Sequence, residues 1–400
     1  MIWRALGGTL VILLLAFLIG VLLLKADPRT FPQQLIGGVL LGSIYALIAL
    51  GYTMVYGVLR LINFAHGEVF MLGAYTSLLT SWLLGYGSGT KLESSSALNL
   101  GILLVASMVV CGLVGVLIEV LAYRPMRKQP RIASLITAIG VSLLLQYGGA
   151  LVLPVAPPPN VNEKVNPFRG ALEVNIIPPS KELTAQLSAA NQKAAAAVEQ
   201  WDQAKRTSQP EAAIKLLRDA KNDAEREQNR LEGEVEKSAV RLRTPNGQLV
   251  MFGTTMVLMG ILTYLVMFTS VGRAMRAVSH DFDSASLMGI NVSRIVSITF
   301  LIGSMLAGAG AMMNATFLST PLTTQFGVMP GVKAFVAAVL GGIGNIPGAV
   351  LGGLLMGVAE NLVIWVGYGN YKDAIAFVIL IVVLLFKPGG LLGSAKVEKV

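Results

Sequence analysis

The 400-residue chain is poor in the side chains on which most soluble chemistry rests. Its one cysteine, Cys111, sits within an apolar run, so a single chain forms neither a disulfide framework nor a cysteine-based metal site. Of its two histidines, His66 stands two residues from Glu68, about 200° away around a helix, and His280 falls in a distant polar loop. That spacing removes a metal reading. No GxxxxGKS or GxxxxGKT pattern occurs, which excludes ATP binding through a P-loop, and no Ser, His and Asp set recurs within the apolar runs to support a hydrolase. Charge is scarce as well, at 13% of residues against 54% hydrophobic, with a mean hydropathy of +0.67. A soluble core of this length could not bury so much apolar surface.

What is present instead is a series of apolar runs of roughly 20 residues, the length that crosses a bilayer. They lie near 5–24, 34–57, 64–85, 98–122, 132–153, 248–269, 295–318, 347–366 and 373–386, with a broken tenth element near 321–342. The first run is too long for a signal-peptide core and has no small-residue cleavage site, so it reads as a retained span. The fold class implied by these runs is an all-α polytopic membrane protein with about 8–10 transmembrane helices, some of them interrupted. Orientation comes from Lys and Arg in short loops. Tyr123–Arg131 ("YRPMRKQPR") and Gly272–Arg294 are the two basic loops, which places both on the cytoplasmic side and everything between 153 and 248 outside. Both termini are then cytoplasmic if the broken element counts as a crossing.

Three regions result: an N-terminal membrane half, 1–154; a polar extracytoplasmic insertion, 155–247; and a C-terminal membrane half, 248–400. Residues 155–248 hold 14 Lys and Arg against 13 Asp and Glu, so nearly all of the net charge of +9 belongs to the membrane part. That is a positive-inside bias, and a nucleic-acid partner has no support. Within the insertion, Leu183, Leu187, Ala190, Ala194, Ala197, Trp201 and Ala204 form one helical seam. Leu217, Ala220, Ala224, Leu231 and Val235 form a second, and "SQPE", Ser208–Glu211, supplies a capping pattern between them. The pattern predicts an antiparallel helical hairpin with arms of about 40 Å. The competing reading is an extended charged loop, since Ala-rich seams bury little area.

Polar residues inside spans are costly and mark pathways or helix breaks. Asn63, Phe64, His66 and Glu68 cluster in a glycine-punctuated run from Gly51 to Gly73, which predicts a discontinuous helix. Asn63 either caps a helix starting at Phe64 or meets a ligand. In the C-terminal half, Lys333, Asn345 and Glu360 are the polar exceptions in Val328–Asn361, while Gly348, Gly352, Gly353 and Gly357 have the spacing of tight membrane-helix packing. In the cytoplasmic segment 272–294 of the same half, Ala277, Asp281, Ala285 and Gly289 recur every four residues, a small stripe on one short helix. That stripe serves either a docking partner or a plain amphipathic helix at the membrane surface.

The stretches "GSIYALIALGYTMVYGVLRLINFAHGEVFMLGAY", "GRAMRAVSHDFDSASLMGIN" and "GVKAFVAAVLGGIGNIPGAVLGGLLMGVAEN" resemble the H-type permeases of high-affinity branched-chain amino-acid ABC importers. The resemblance implies a multi-pass bacterial inner-membrane subunit without an ATPase motif or cofactor of its own. Its implied partners are a second related permease, two cytoplasmic ATPase subunits, a soluble substrate-binding protein and membrane lipid. It also places the family's ATPase-coupling segment on Gly272–Asn291, and so a coupling role on Ala277, Asp281, Ala285, Ser286, Gly289 and Asn291. Asn63, Phe64, His66, Glu68, Lys333 and Asn345 become candidates for the pathway or for substrate contact. Permeases for urea or short amides share these motifs, and a proton-coupled secondary transporter using Glu68 and His66 is the reading from another class. The insertion is the departure from the family pattern.

Overall fold

A computed structural model describes residues 29–86, 95–127, 129–154, 165–207, 210–318 and 321–393. The expected span at 5–24 lies outside these residues, as do Ser208 and Gln209 of the expected cap. In chain order the helices are α1 (Phe31–Leu59), α2 (His66–Leu83), α3 (Ala97–Ile118), α4 (Arg131–Val152), α5 (Lys181–Arg206), α6 (Glu211–Ser238) and α7 (Asn246–Phe268). They continue as α8 (Ser270–His280), α9 (Phe282–Leu287), α10 (Val292–Phe317), α11 (Val328–Gly341), α12 (Ile346–Val363) and α13 (Lys372–Phe386). Two strands, β1 (Ala171–Ile177) and β2 (Val240–Pro245), pair with each other.

The chain divides into two compact units. The larger, 34–170 with 245–400, is the helical membrane body. Six stretches among the described residues are long and apolar enough to cross a membrane, and the last of them, Ile346–Phe386, is 41 residues long. A straight helix of that length would reach about 60 Å, twice the hydrocarbon thickness. It divides instead at Gly367, whose φ of 92° breaks the helix, and α13 returns beside α11 and α12. α11, with 14 residues, spans about 21 Å and so reaches only part of the way across. It is the broken element expected near 321–342.

Burial separates the core helices from the outer ones. α1 and α10 have 72% of their apolar windows buried, whereas α4 has 11% and α7 has 22%. The outer helices expose Ile136, Leu144, Val257 and Phe268, side chains suited to lipid or a partner helix. Apolar sequence on every side is what a fully enclosed helix requires, and α1 has it from Gly38 to Val55. Its contact with α12 is made by glycine, as the small-residue spacing predicts: a Cβ on Gly357 would overlap the Gly42 backbone, and one on Gly353 the backbone of Ala46.

The smaller unit holds β1, α5, α6 and β2 and includes Gln33. Gln33 pairs with β2 through two hydrogen bonds of 2.8 Å, one accepted from the Arg243 amide and one donated to its carbonyl. α5 and α6 pack along each other, Trp201 of α5 lying between the ammonium groups of Lys205 and Lys221. On α5 every seam residue named from the sequence is buried or half-buried. The α6 seam differs at one position: Ala220 is exposed, and the seam runs through Ile214, Leu217, Lys221, Ala224, Gln228, Leu231 and Val235. Lys221 occupies it because its stem covers apolar surface while its charge sits 4.5 Å from the Trp201 ring centroid.

The α1–α12 contact leaves no room for a side chain. Gly357→Val is expected to lower stability by about 1–3 kcal/mol through overpacking. Gly101→Val on α3, where no atom lies within 4 Å of the added carbon, is expected to leave the melting temperature of the purified protein unchanged.

Candidate functional site

The break between α1 and α2 is the first element of the site. Arg60 takes a left-handed backbone conformation, φ 54°, and ends α1. The next residues turn back, and Asn63 holds the turn: its Oδ1 accepts hydrogen bonds from the Ala65 amide at 3.1 Å and from the Tyr123 hydroxyl at 2.9 Å. The expectation that Asn63 caps a helix starting at Phe64 is therefore corrected. α2 starts at His66, and the side chain of Asn63 is committed to an Asx turn two residues earlier. Phe64 points outward, 38% exposed, with its ring 6.0 Å from that of Phe335 on α11.

His66 and Glu68 are both buried, and they face different neighbours. The imidazole lies edge-on to Tyr52 of α1, centroids 4.6 Å apart, in the space that Gly51 leaves open. It sits near the Ile48 carbonyl, yet neither ring nitrogen makes a hydrogen bond of good geometry among the described residues. Glu68 turns toward α4, where the Ser142 hydroxyl donates to Oε1 at 3.2 Å, and its Oε2 has no partner among the described residues. Among these residues no group of three His, Cys, Asp or Glu comes together as metal ligands.

Lys333, a candidate for the pathway, is held within the bundle. Its ammonium is buried on α11 and makes ion pairs of 2.8 Å with Glu360 of α12 and 2.6 Å with Asp373 of α13. Tyr45 of α1 donates to the other oxygen of Glu360 at 2.7 Å. The cluster ties four helices together and leaves Lys333 engaged within the protein. Asn345 caps α12, accepting from the Gly348 amide at 3.1 Å, and donates to the Leu392 carbonyl at 2.7 Å. It also borders an open cavity of about 1190 Å³ whose walls include Tyr56, Arg60, Arg276, Gly344 and Pro388.

The segment after α7 is two helices, not one. Asp281 has an extended backbone, φ −156°, and its carboxylate caps α9 by accepting from the Asp283 amide at 2.8 Å and the Ser284 amide and hydroxyl at 3.3 and 2.8 Å. The Ser284 hydroxyl and amide, then the Asp283 amide, hold this carboxyl below its ordinary pKa. The four-residue stripe is corrected accordingly. Breaking the helix at Asp281 puts Ala277 and Ala285 on separate elements, Ala277 half-buried and Ala285 4% exposed, both against the bundle. Ser286 is exposed, Gly289 comes next with φ 81°, and Asn291 caps α10 through the Arg294 amide at 3.0 Å. The large apolar side chains left exposed here are Leu287 and Met288, at 88% and 83%. Sequence periodicity missed them because Leu287 ends the six-residue α9 and Met288 begins the turn after it, too short a helix to show a face.

A family model described as "Branched-chain amino acid transport system / permease component" matches residues 34–170 and 194–384. The chain is 36% identical over 374 residues to the high-affinity branched-chain amino acid transport system permease protein LivH of Salmonella typhimurium, covering 92% of this chain and 98% of that protein. It is 35% identical over 376 residues to LivH of Escherichia coli K12, at the same coverage. To the corresponding permease protein BraD of Pseudomonas aeruginosa it is 37% identical over 368 residues, 92% and 97% of the two chains. No solved structure matches.

Removing Lys333 strands the buried carboxylate of Glu360 and unpairs the partly exposed one of Asp373. Lys333→Met is expected to cost about 3–5 kcal/mol, read as a lowered melting temperature in lipid nanodiscs. Adding Glu360→Gln and Asp373→Asn is expected to recover a large part of that loss.

Proposed function

The chain belongs to the branched-chain amino acid transport permease family, and from that premise we propose that it is the permease subunit of an ATP-driven importer for branched-chain or closely related amino acids. The observation that carries this reading is similarity over 98% of a relative whose own name states that transport role. The chain would work with a second permease, two ATPase subunits and a soluble binding protein. Arg60, Arg124, Arg127, Arg273, Arg276 and Arg294 lie at the helix ends and connecting segments of one side of the bundle. We assign that side to the cytoplasm. Both termini then fall inside, and the insertion lies on the side from which substrate arrives.

The coupling element in this reading is α8–α9 and the turn after it. Leu287 and Met288 are the apolar pair that docks, and Gly289 gives the turn its left-handed step. Closure of the ATPases would move this segment and, through α10, the interrupted helices around His66 and Glu68. A proton relay through those two residues fits poorly, since they face different helices.

Reconstitution of the chain with its neighbouring subunits, measuring which amino acids stimulate ATP hydrolysis through the binding protein, tests the reading; stimulation by leucine, isoleucine or valine is expected. Leu287→Asp with Met288→Asp is expected to abolish ATP-coupled uptake while membrane insertion persists, and Gly289→Arg to do the same. Normal uptake by these variants would remove the docking role.

For the insertion we infer contact with the binding protein. Replacing 180–238 by a short Gly-Ser turn keeps the paired strands, since the Ser180 amide and Ser238 hydroxyl already meet at 3.3 Å. Weakened pull-down of the binding protein is expected, and unchanged pull-down with unchanged uptake would end that idea.

A further inference from the structure

α3 does not end as an ordinary helix. Its continuation, Glu119–Tyr123, forms a π-helical turn in which the Arg124 amide reaches back five residues to the Glu119 carbonyl. Pro125 explains the widening, because it has no amide to continue the regular ladder. Such single turns are frequent at functional sites. Two residues of this one enter separate networks.

The first is Glu119, which is fully buried. Its carboxylate accepts from Arg124 at 3.0 and 3.3 Å, from Arg127, and from the Ser297 hydroxyl at 2.7 Å. Arg124 also donates to Ser297 at 3.0 Å, and Arg127 to the Ser293 hydroxyl at 3.1 Å. Ser293 and Ser297 belong to the first two turns of α10, directly after Asn291 closes the coupling segment. The two arginines and two hydroxyls therefore clamp the π turn to the helix that the coupling segment feeds.

The second is Tyr123, 1% exposed. Its ring lies 5.3 Å from that of Phe300 on α10, and its hydroxyl donates to Asn63, the residue that holds the α1–α2 turn. The same Asn63 oxygen binds the Ala65 amide, one residue before α2 and three before Glu68. One turn of backbone thus touches the start of α10 on one side and the helix break on the other.

We propose that Tyr123 is a positioning residue for transport, carrying displacement of the coupling-segment end of α10 to the α1–α2 break. The idea rests on the importer reading above. A shift of α10 pulls Ser297 and Phe300, the clamp makes the π turn move with it, and the Tyr123 hydroxyl moves or releases Asn63. Asn63 then resets the start of α2, and with it His66 and Glu68.

Tyr123→Phe keeps the ring against Phe300 and removes only the hydroxyl. In the reconstituted complex, binding-protein-stimulated ATP hydrolysis is expected to stay within about twofold of wild type, while substrate moved per ATP falls roughly fivefold to tenfold, the scale of one buried hydrogen bond. Asn63→Asp, whose oxygens still accept from both the Ala65 amide and the Tyr123 hydroxyl, is expected to retain coupling. A second arm needs no ATPase: in the purified chain, Ser297→Ala is expected to speed hydrogen exchange at residues 63–66, across the π turn. Unchanged transport per ATP in Tyr123→Phe, or exchange at 63–66 indifferent to Ser297→Ala, overturns the proposal. If the wild-type complex shows no ATP-driven uptake, the importer reading fails by itself, and the exchange arm still decides whether the link exists.

Discussion

The constraint that governs this molecule is that a helix broken inside a packed bundle frees backbone groups that neither lipid nor water can satisfy. α1 stops at Leu59 and α2 starts at His66, so the residues between them require partners from the protein itself. One side chain supplies much of what is needed. Asn63 satisfies the Ala65 amide with its Oδ1, its own carbonyl accepts from the His66 amide at 3.1 Å, and a buried tyrosine fixes its rotamer. The surrounding architecture protects this turn: α10 and α3 enclose one side, and α11, itself short, meets the other where Gly67 and Gly327 bring their backbones together.

The second break obeys the same rule with different chemistry. α11 is too short to cross, and its connection to α12 is closed by Asn345 and by residues after α13, the Leu391 and Leu392 amides donating to the carbonyls of Leu340 and Gly341 at 2.7 and 3.0 Å. Its opposite half is fixed by charge. A lysine in an apolar helix is tolerable when carboxylates pair with it, and here the buried Glu360 and the partly exposed Asp373 come from the two helices packed on α11.

Much of this was legible in the sequence, because apolar length and glycine spacing act locally. The runs at 34–57, 132–153 and 248–269 correspond to α1, α4 and α7 within a few residues, and the spaced glycines of α12 are packing sites, Gly353 and Gly357 against α1, Gly348 and Gly352 against α11. What escaped were consequences of one residue's choice of partner. Asp281 has an ordinary helical neighbourhood in sequence, yet its carboxylate caps the amides of Asp283 and Ser284 and so divides one helix into two. Lys333 and Glu360 were visible as polar exceptions, but their pairing was not, because the partners of Lys333 lie 27 and 40 residues further along the chain. Ala220 suited a seam by size, but Lys221 took the place because Trp201 offered its charge an aromatic face. Periodicity reads faces; it does not read which long-range partner a polar atom will find.

The glycine seam between α1 and α12 has a consequence for how such a protein changes over generations. Where two side chains meet, a larger residue on one helix can be matched by a smaller one on the other, so the pair drifts together. At Gly42 against Gly357 no smaller residue exists on either side, and compensation has nowhere to begin. The seam is therefore frozen as a pair of absences, whereas α4 and α7, which present Leu and Ile outward, are free to exchange one apolar residue for another. Selection on this fold is expected to act most rigidly where the helices present the least chemistry.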